Sequence, residues 1–159
     1  MSANIDKVLG VDCWRGQCLN YFARSEAAVS KSLDAAQAVG KISTIKHLAG
    51  QRLAELVRIS EELSGTSKQI TAFANALRIW QSIESKRQFL AHGVAAISHD
   101  PQGQWVALFD LVTYRANNRT EERWAIRQSE AEIFLSELAA AFKSLSGQLG
   151  HFRKRIAEA

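Results

Sequence analysis

Trp105-Val106-Ala107-Leu108-Phe109-Asp110-Leu111-Val112-Thr113-Tyr114 interrupts a chain otherwise written in helical rhythm, and its reading decides the fold. The run is rich in β-branched and aromatic residues, which suit a pleated, half-buried surface better than a helix. Ala116-Asn117-Asn118-Arg119-Thr120 follows with turn chemistry, and Arg123-Trp124-Ala125-Ile126-Arg127 alternates polar with apolar. These stretches predict a β-hairpin over about 104–127. Ser98-His99-Asp100-Pro101-Gln102-Gly103, just before it, reads as a loop.

On either side of the hairpin the apolar residues return at steps of three and four. Val11, Trp14, Cys18, Phe22, Val29, Leu33 and Ala36 predict a helix over about 11–39, stopped by Gly40. Ser43 or Thr44 would cap a second helix, about 44–64, with Ile45, Leu48, Ala49, Leu53, Leu56, Ile59 and Leu63 inward and Gly65 at its end. A third, about 67–92, starts at Ser67 and runs through Ile70, Phe73, Leu77, Trp80 and Ile83 to a stop at Gly93. A fourth, about 129–157, opens on the capping box Ser129-Glu130-Ala131-Glu132 and carries Phe134, Leu138, Ala141, Leu145, Leu149, Phe152 and Ile156 on one face. The expected fold is mainly all-α: a single-domain bundle of about four long helices, with the hairpin between the third and fourth.

With 159 residues, 47% of them hydrophobic, and a single proline, the chain suits one globular domain rather than a disordered segment. A net charge of +4 permits an anionic partner without requiring one. The opening residues 1–7 contain no apolar leader core, and no run approaches the roughly 18 apolar residues of a membrane span. Cytoplasmic localisation without membrane contact is therefore expected. Cys13 and Cys18 lie about 140° apart on a helix and read as free thiols, with Cys18 in the core.

Arg87-Gln88-Phe89-Leu90-Ala91-His92-Gly93 is the segment that looks like chemistry. Continued from the third helix at about 100° per residue, Arg87 falls on the apolar stripe and Phe89 on the polar face. A guanidinium leaving water needs compensation, from Glu84 three residues earlier, from a partner chain, or from an anionic ligand. An outward Phe89 would suggest cover by a second subunit. His92 can serve as a helix C-terminal cap or, freed at Gly93, swing toward Arg87.

The string from Arg87 to Gly93 resembles the motif of the HEPN superfamily, in which an arginine is followed after four to six residues by a histidine. A polar residue often follows the arginine, and Ala-His-Gly often closes the motif. Gln88 stands where asparagine is most common. The resemblance implies a dimerising helical bundle whose Arg–His pairs meet in one cleft and, in catalytic members, cut RNA without metal. It makes Arg87 the phosphate-binding residue and His92 the general acid/base, with Gln88 and Glu84 supporting and no cofactor. Partners implied are a second copy, RNA, and a nucleotidyltransferase or antitoxin-like protein. The alternatives are a non-catalytic helical dimerisation module, or one half of a toxin–antitoxin-like pair.

Arg115, Arg119, Arg123 and Arg127 make the hairpin basic, as His151, Arg153, Lys154 and Arg155 do the C-terminal region. They are candidate phosphate contacts, diluted at the hairpin by Glu121 and Glu122. Trp105 and Trp124 are expected to pin the hairpin to the helices rather than stack on bases. His92, His99 and Asp100 lack a third ligand at metal-binding spacing.

Overall fold

The computed structural model describes residues 2–62 and 66–158. Its elements are α1 (Ser2–Ala38), α2 (Ala49–Glu61), α3 (Ser67–Glu84), α4 (Arg87–His92), β1 (Val94–His99), β2 (Trp105–Arg115), β3 (Asn118–Arg127) and α5 (Gln128–Glu158). The expected all-α bundle is therefore corrected: helices are combined with a three-stranded antiparallel sheet of order β1-β2-β3. Residues 94–97, beyond the expected helix stop at Gly93, form the additional strand together with Ser98-His99, expected as the start of a loop. Among the described residues no helix is long and apolar enough to cross a membrane.

The chain forms two compact units, Met1–Tyr21 with Glu84–Leu138, and Phe22–Ile83 with Ala139–Ala159. In the first unit, β1 pairs with β2 from Val94↔Asp110 to His99↔Trp105, and β2 with β3 from Val106↔Arg127 to Arg115↔Asn118. Asp100 closes the first turn, its Oδ1 accepting from the N–H groups of Gln102 and Gln104 at 2.9 Å each. The second turn is just Ala116-Asn117, at φ 47° and 66°. Two successive positive φ values match the twist of the strands they join. Ala107, Phe109, Leu111 and Ile126 are buried on the inner sheet face. Trp14 packs against Trp105, Phe109, Trp124 and Phe134 at centroid separations of 5.8, 6.3, 6.1 and 6.2 Å. Its indole Nε1 donates to the Ala131 carbonyl at 2.8 Å, so the one polar atom of this ring is satisfied.

The second unit is helical. Phe73 meets Phe152 at 5.5 Å and Phe22 meets Trp80 at 5.6 Å, among buried Leu33, Leu56, Leu77, Leu145 and Leu149. Arg153 Nη1 donates to Ser32 Oγ at 2.9 Å, and that hydroxyl donates to the Ala28 carbonyl at 2.8 Å. The buried hydroxyl of Ser32 is thus fully used.

Helix ends depart from expectation in instructive ways. α1 starts at Ser2, well before residue 11, and ends one residue early. Gly40, at φ +75°, completes a Schellman motif there, with Lys41 N bonded to Ala36 O and Gly40 N to Gln37 O, both at 2.9 Å. α2 begins at Ala49 rather than near 44, without a side-chain cap. Arg52 Nη1 donates instead to the carbonyls of Lys46 and His47, satisfying these acceptors outside the helix, and Leu48 is exposed. α3 is capped by Thr66, not Ser67, through reciprocal bonds between Thr66 and Gln69. α5 is capped two residues earlier than Ser129 would place it, with Glu130 accepting the N–H of Arg127 at 2.8 Å. The expected roles of Leu63 and Gly65 lie outside the described residues.

Candidate functional site

The third predicted helix does not run unbroken to His92. It stops at Glu84, and after Ser85 and Lys86 the six-residue α4 begins at Arg87. A helical stripe keeps its phase only while the helix is continuous, so the assignment of Arg87 to the stripe and of Phe89 to the polar face is lost. Phe89 is in fact 6% exposed, edge-on to Trp124 at 5.9 Å. Its supposed exposure no longer argues for a covering subunit. Arg87 and Glu84 are half-buried, Gln88 is exposed, and His92 is exposed at the last position of α4.

The element is held in place by residues that spacing alone did not single out. Arg15 of α1 donates from Nε to the Leu90 carbonyl at 2.5 Å and from Nη2 to the Gly93 carbonyl at 3.2 Å. The last carbonyls of a helix lack intrahelical donors and carry partial negative charge, so a guanidinium suits them twice over. Lys86 places its ammonium 5.6 Å from the Phe89 ring centre and 5.1 Å from that of Trp124. Gly93 is required by close approach: an added Cβ would press into the Phe89 carbonyl oxygen and come within 3.3 Å of Phe109 Cβ.

Arg87 and His92 occupy the two ends of α4. Five steps of about 100° separate their directions by roughly 140°. A groove of about 340 Å³ beside Lys86 is lined by Trp124, Ile126, Glu130, Ile133 and Phe134, and neither Arg87 nor His92 borders it.

The hairpin arginines are dispersed. Arg119, Arg123 and Arg127 share the outer face of β3, whereas Arg115, opposite Asn118, has the parity of the inner face. Arg123 Nε binds Asp110 Oδ1 at 2.7 Å and Arg119 pairs with Glu121, so two of the four are already countered. Arg115 and Arg127 are exposed. The outer face also carries Val94, Val112 and Tyr114, exposed by 74%, 44% and 71%.

Trp105 and Trp124 both pack against Trp14, as expected of residues that anchor the sheet. Among the described residues no three His, Cys, Asp or Glu side chains form a metal-binding group. His99 ends β1 with its Nε2 buried and without a partner among the described residues. Cys18 is fully buried, and burial pushes its thiol up to about 12; Cys13 is exposed. No family model, curated protein or solved structure matches the chain.

Proposed function

We propose that this is a HEPN-like protein acting on RNA without a metal, through Arg87 and His92 contributed by two copies of the chain. The observation that carries the reading is the placement of an exposed His92 at the end of α4, clamped by Arg15 and Gly93. A general acid/base must be reachable and must not wander, and this backbone meets both requirements. His92 would take the proton from a 2′-hydroxyl or give one to the leaving 5′-oxygen. The 2′-oxygen then bonds to phosphorus as the bond to the 5′-oxygen breaks. Arg87 would hold the phosphate oxygens and counter their growing charge, with Gln88 and Glu84 supporting. The divergent directions of the two side chains on one short helix are the reason for invoking a second copy.

The test is incubation of the purified protein with RNA in chelator, beside His92→Ala and Arg87→Ala. The wild type should cleave, and each variant should lose about a hundredfold or more. Equal behaviour of three folded proteins would remove the nuclease. It would leave the second reading, a non-catalytic interaction module, which the outer sheet face favours. That face combines exposed Val94, Val112 and Tyr114 with charges of both signs, the self-complementary chemistry of a two-fold interface.

A further inference from the structure

The second unit contains a cavity of about 400 Å³ between the start of α3 and the end of α5. Its lining includes Lys68 and Gln69 from α3, and His151, Lys154, Arg155 and Glu158 from α5. Three permanent cations face one carboxylate. Arg155 Nε and Nη1 are shut off from water and have no hydrogen-bond partner among the described residues. A guanidinium in that state is costly, and because Arg155 lines the cavity, a small turn of its side chain toward an anion there would give these donors an acceptor. Glu158 lies one turn away on the same helix, yet neither Nε nor Nη1 of Arg155 bonds to it, so among the described residues these donors are not used within the helix.

Two further features favour an oxyanion. The start of α3 carries the positive end of the helix dipole at the cavity wall. Gln69 Oε1 accepts the Thr66 N–H, which leaves the Gln69 amide nitrogen to donate. We propose that this cavity binds a small phosphomonoester, its phosphate held by Arg155, Lys154 and Lys68 with the His151 ring alongside. The volume falls within the range of small-molecule sites and exceeds what a bare phosphate fills. All these residues belong to the second unit, so the site is independent of Arg87 and His92.

Calorimetric titration of the whole chain at constant ionic strength tests this, with adenosine monophosphate, inorganic phosphate and phosphate-free adenosine as probes. Adenosine monophosphate should bind, inorganic phosphate more weakly, and adenosine not at all. Arg155→Leu should raise the dissociation constant for the nucleotide about tenfold or more, the loss of a charge-assisted hydrogen bond. The unliganded Arg155→Leu protein should resist urea at least as well as wild type, because the deleted group had no partner. Lys154→Ala, at an exposed position, should weaken binding severalfold with folding unchanged. No nucleotide binding at millimolar concentration, undiminished binding by both variants, or binding only of RNA polymer would each overturn the assignment. So would an Arg155→Leu chain that cannot fold, since the guanidinium would then be structural.

Discussion

Arg15 and Leu90 are 75 residues apart in the chain, yet Arg15 Nε lies 2.5 Å from the Leu90 carbonyl oxygen. The contact ties the body of α1 to the end of the helix that carries His92. Arg15→Met keeps much of the aliphatic stem but removes both donors and the charge. It should destabilise the protein by about 2 kcal/mol in urea unfolding, as expected for hydrogen bonds made by a charged group. If His92 acts on RNA, the same variant should cleave more slowly than its residual stability explains.

Gly93→Ala should be destabilising by about 1–3 kcal/mol, the usual cost of forcing atoms into packed space. The neighbour that must move is a backbone carbonyl, that of Phe89, so relaxation by a side-chain rotation is not available. Thermal denaturation checks this. His92→Ala, at an exposed position, should stay within about 0.5 kcal/mol of wild type.

Trp14→Ala should cost about 3–5 kcal/mol, the range for deleting a large buried ring. It removes the contact shared by Trp105, Phe109, Trp124 and Phe134, together with the indole hydrogen bond to the Ala131 carbonyl. Tryptophan emission and near-ultraviolet dichroism should both report loosening of the sheet.

Cys18 gives a pH signature. Its thiol titrates near 9.0 when unfolded and near 12 when buried, because burial disfavours the thiolate. The unfolded chain thus releases the proton first, and the contribution is intact below pH 9.0 and lost as pH rises toward about 12. Cys18→Ala should begin less stable and lose stability less steeply across that alkaline window, as read by urea midpoints. At neutral pH a thiol reagent should modify Cys13 and spare Cys18 in the folded protein.

Long helical stripes were legible because burial repeats with helical period over many turns. Every residue of the α1 stripe from Val11 to Ala36 is at most 6% exposed, and the α5 stripe from Leu138 to Ile156 at most 7%. β1 was hidden because Val94-Ala95-Ala96-Ile97-Ser98-His99 has weak alternation and only half-buried inner positions. Its identity comes from pairing with β2, which is not a local property. The break after Glu84 was equally invisible, having neither proline nor glycine to announce it. This one omission reversed the environment read for Phe89. Arg15 carries no local signal either, since its partners lie far along the chain. Glu130, rather than Glu132, closes α5 because β3 runs straight into the helix, leaving Arg127 at the cap.

Each compact unit is discontinuous in the chain, and residues 22–83 find the remainder of theirs in residues 139–159. At about 5–20 residues per second, a ribosome needs on the order of 4–15 s to add the 76 residues after Ile83. During that interval Leu56, Phe73, Leu77 and Trp80 must wait for Leu145, Leu149 and Phe152 to emerge. Nascent chains should therefore engage chaperones until residues 139–159 have emerged, and truncation before residue 139 should yield aggregates rather than a smaller soluble domain.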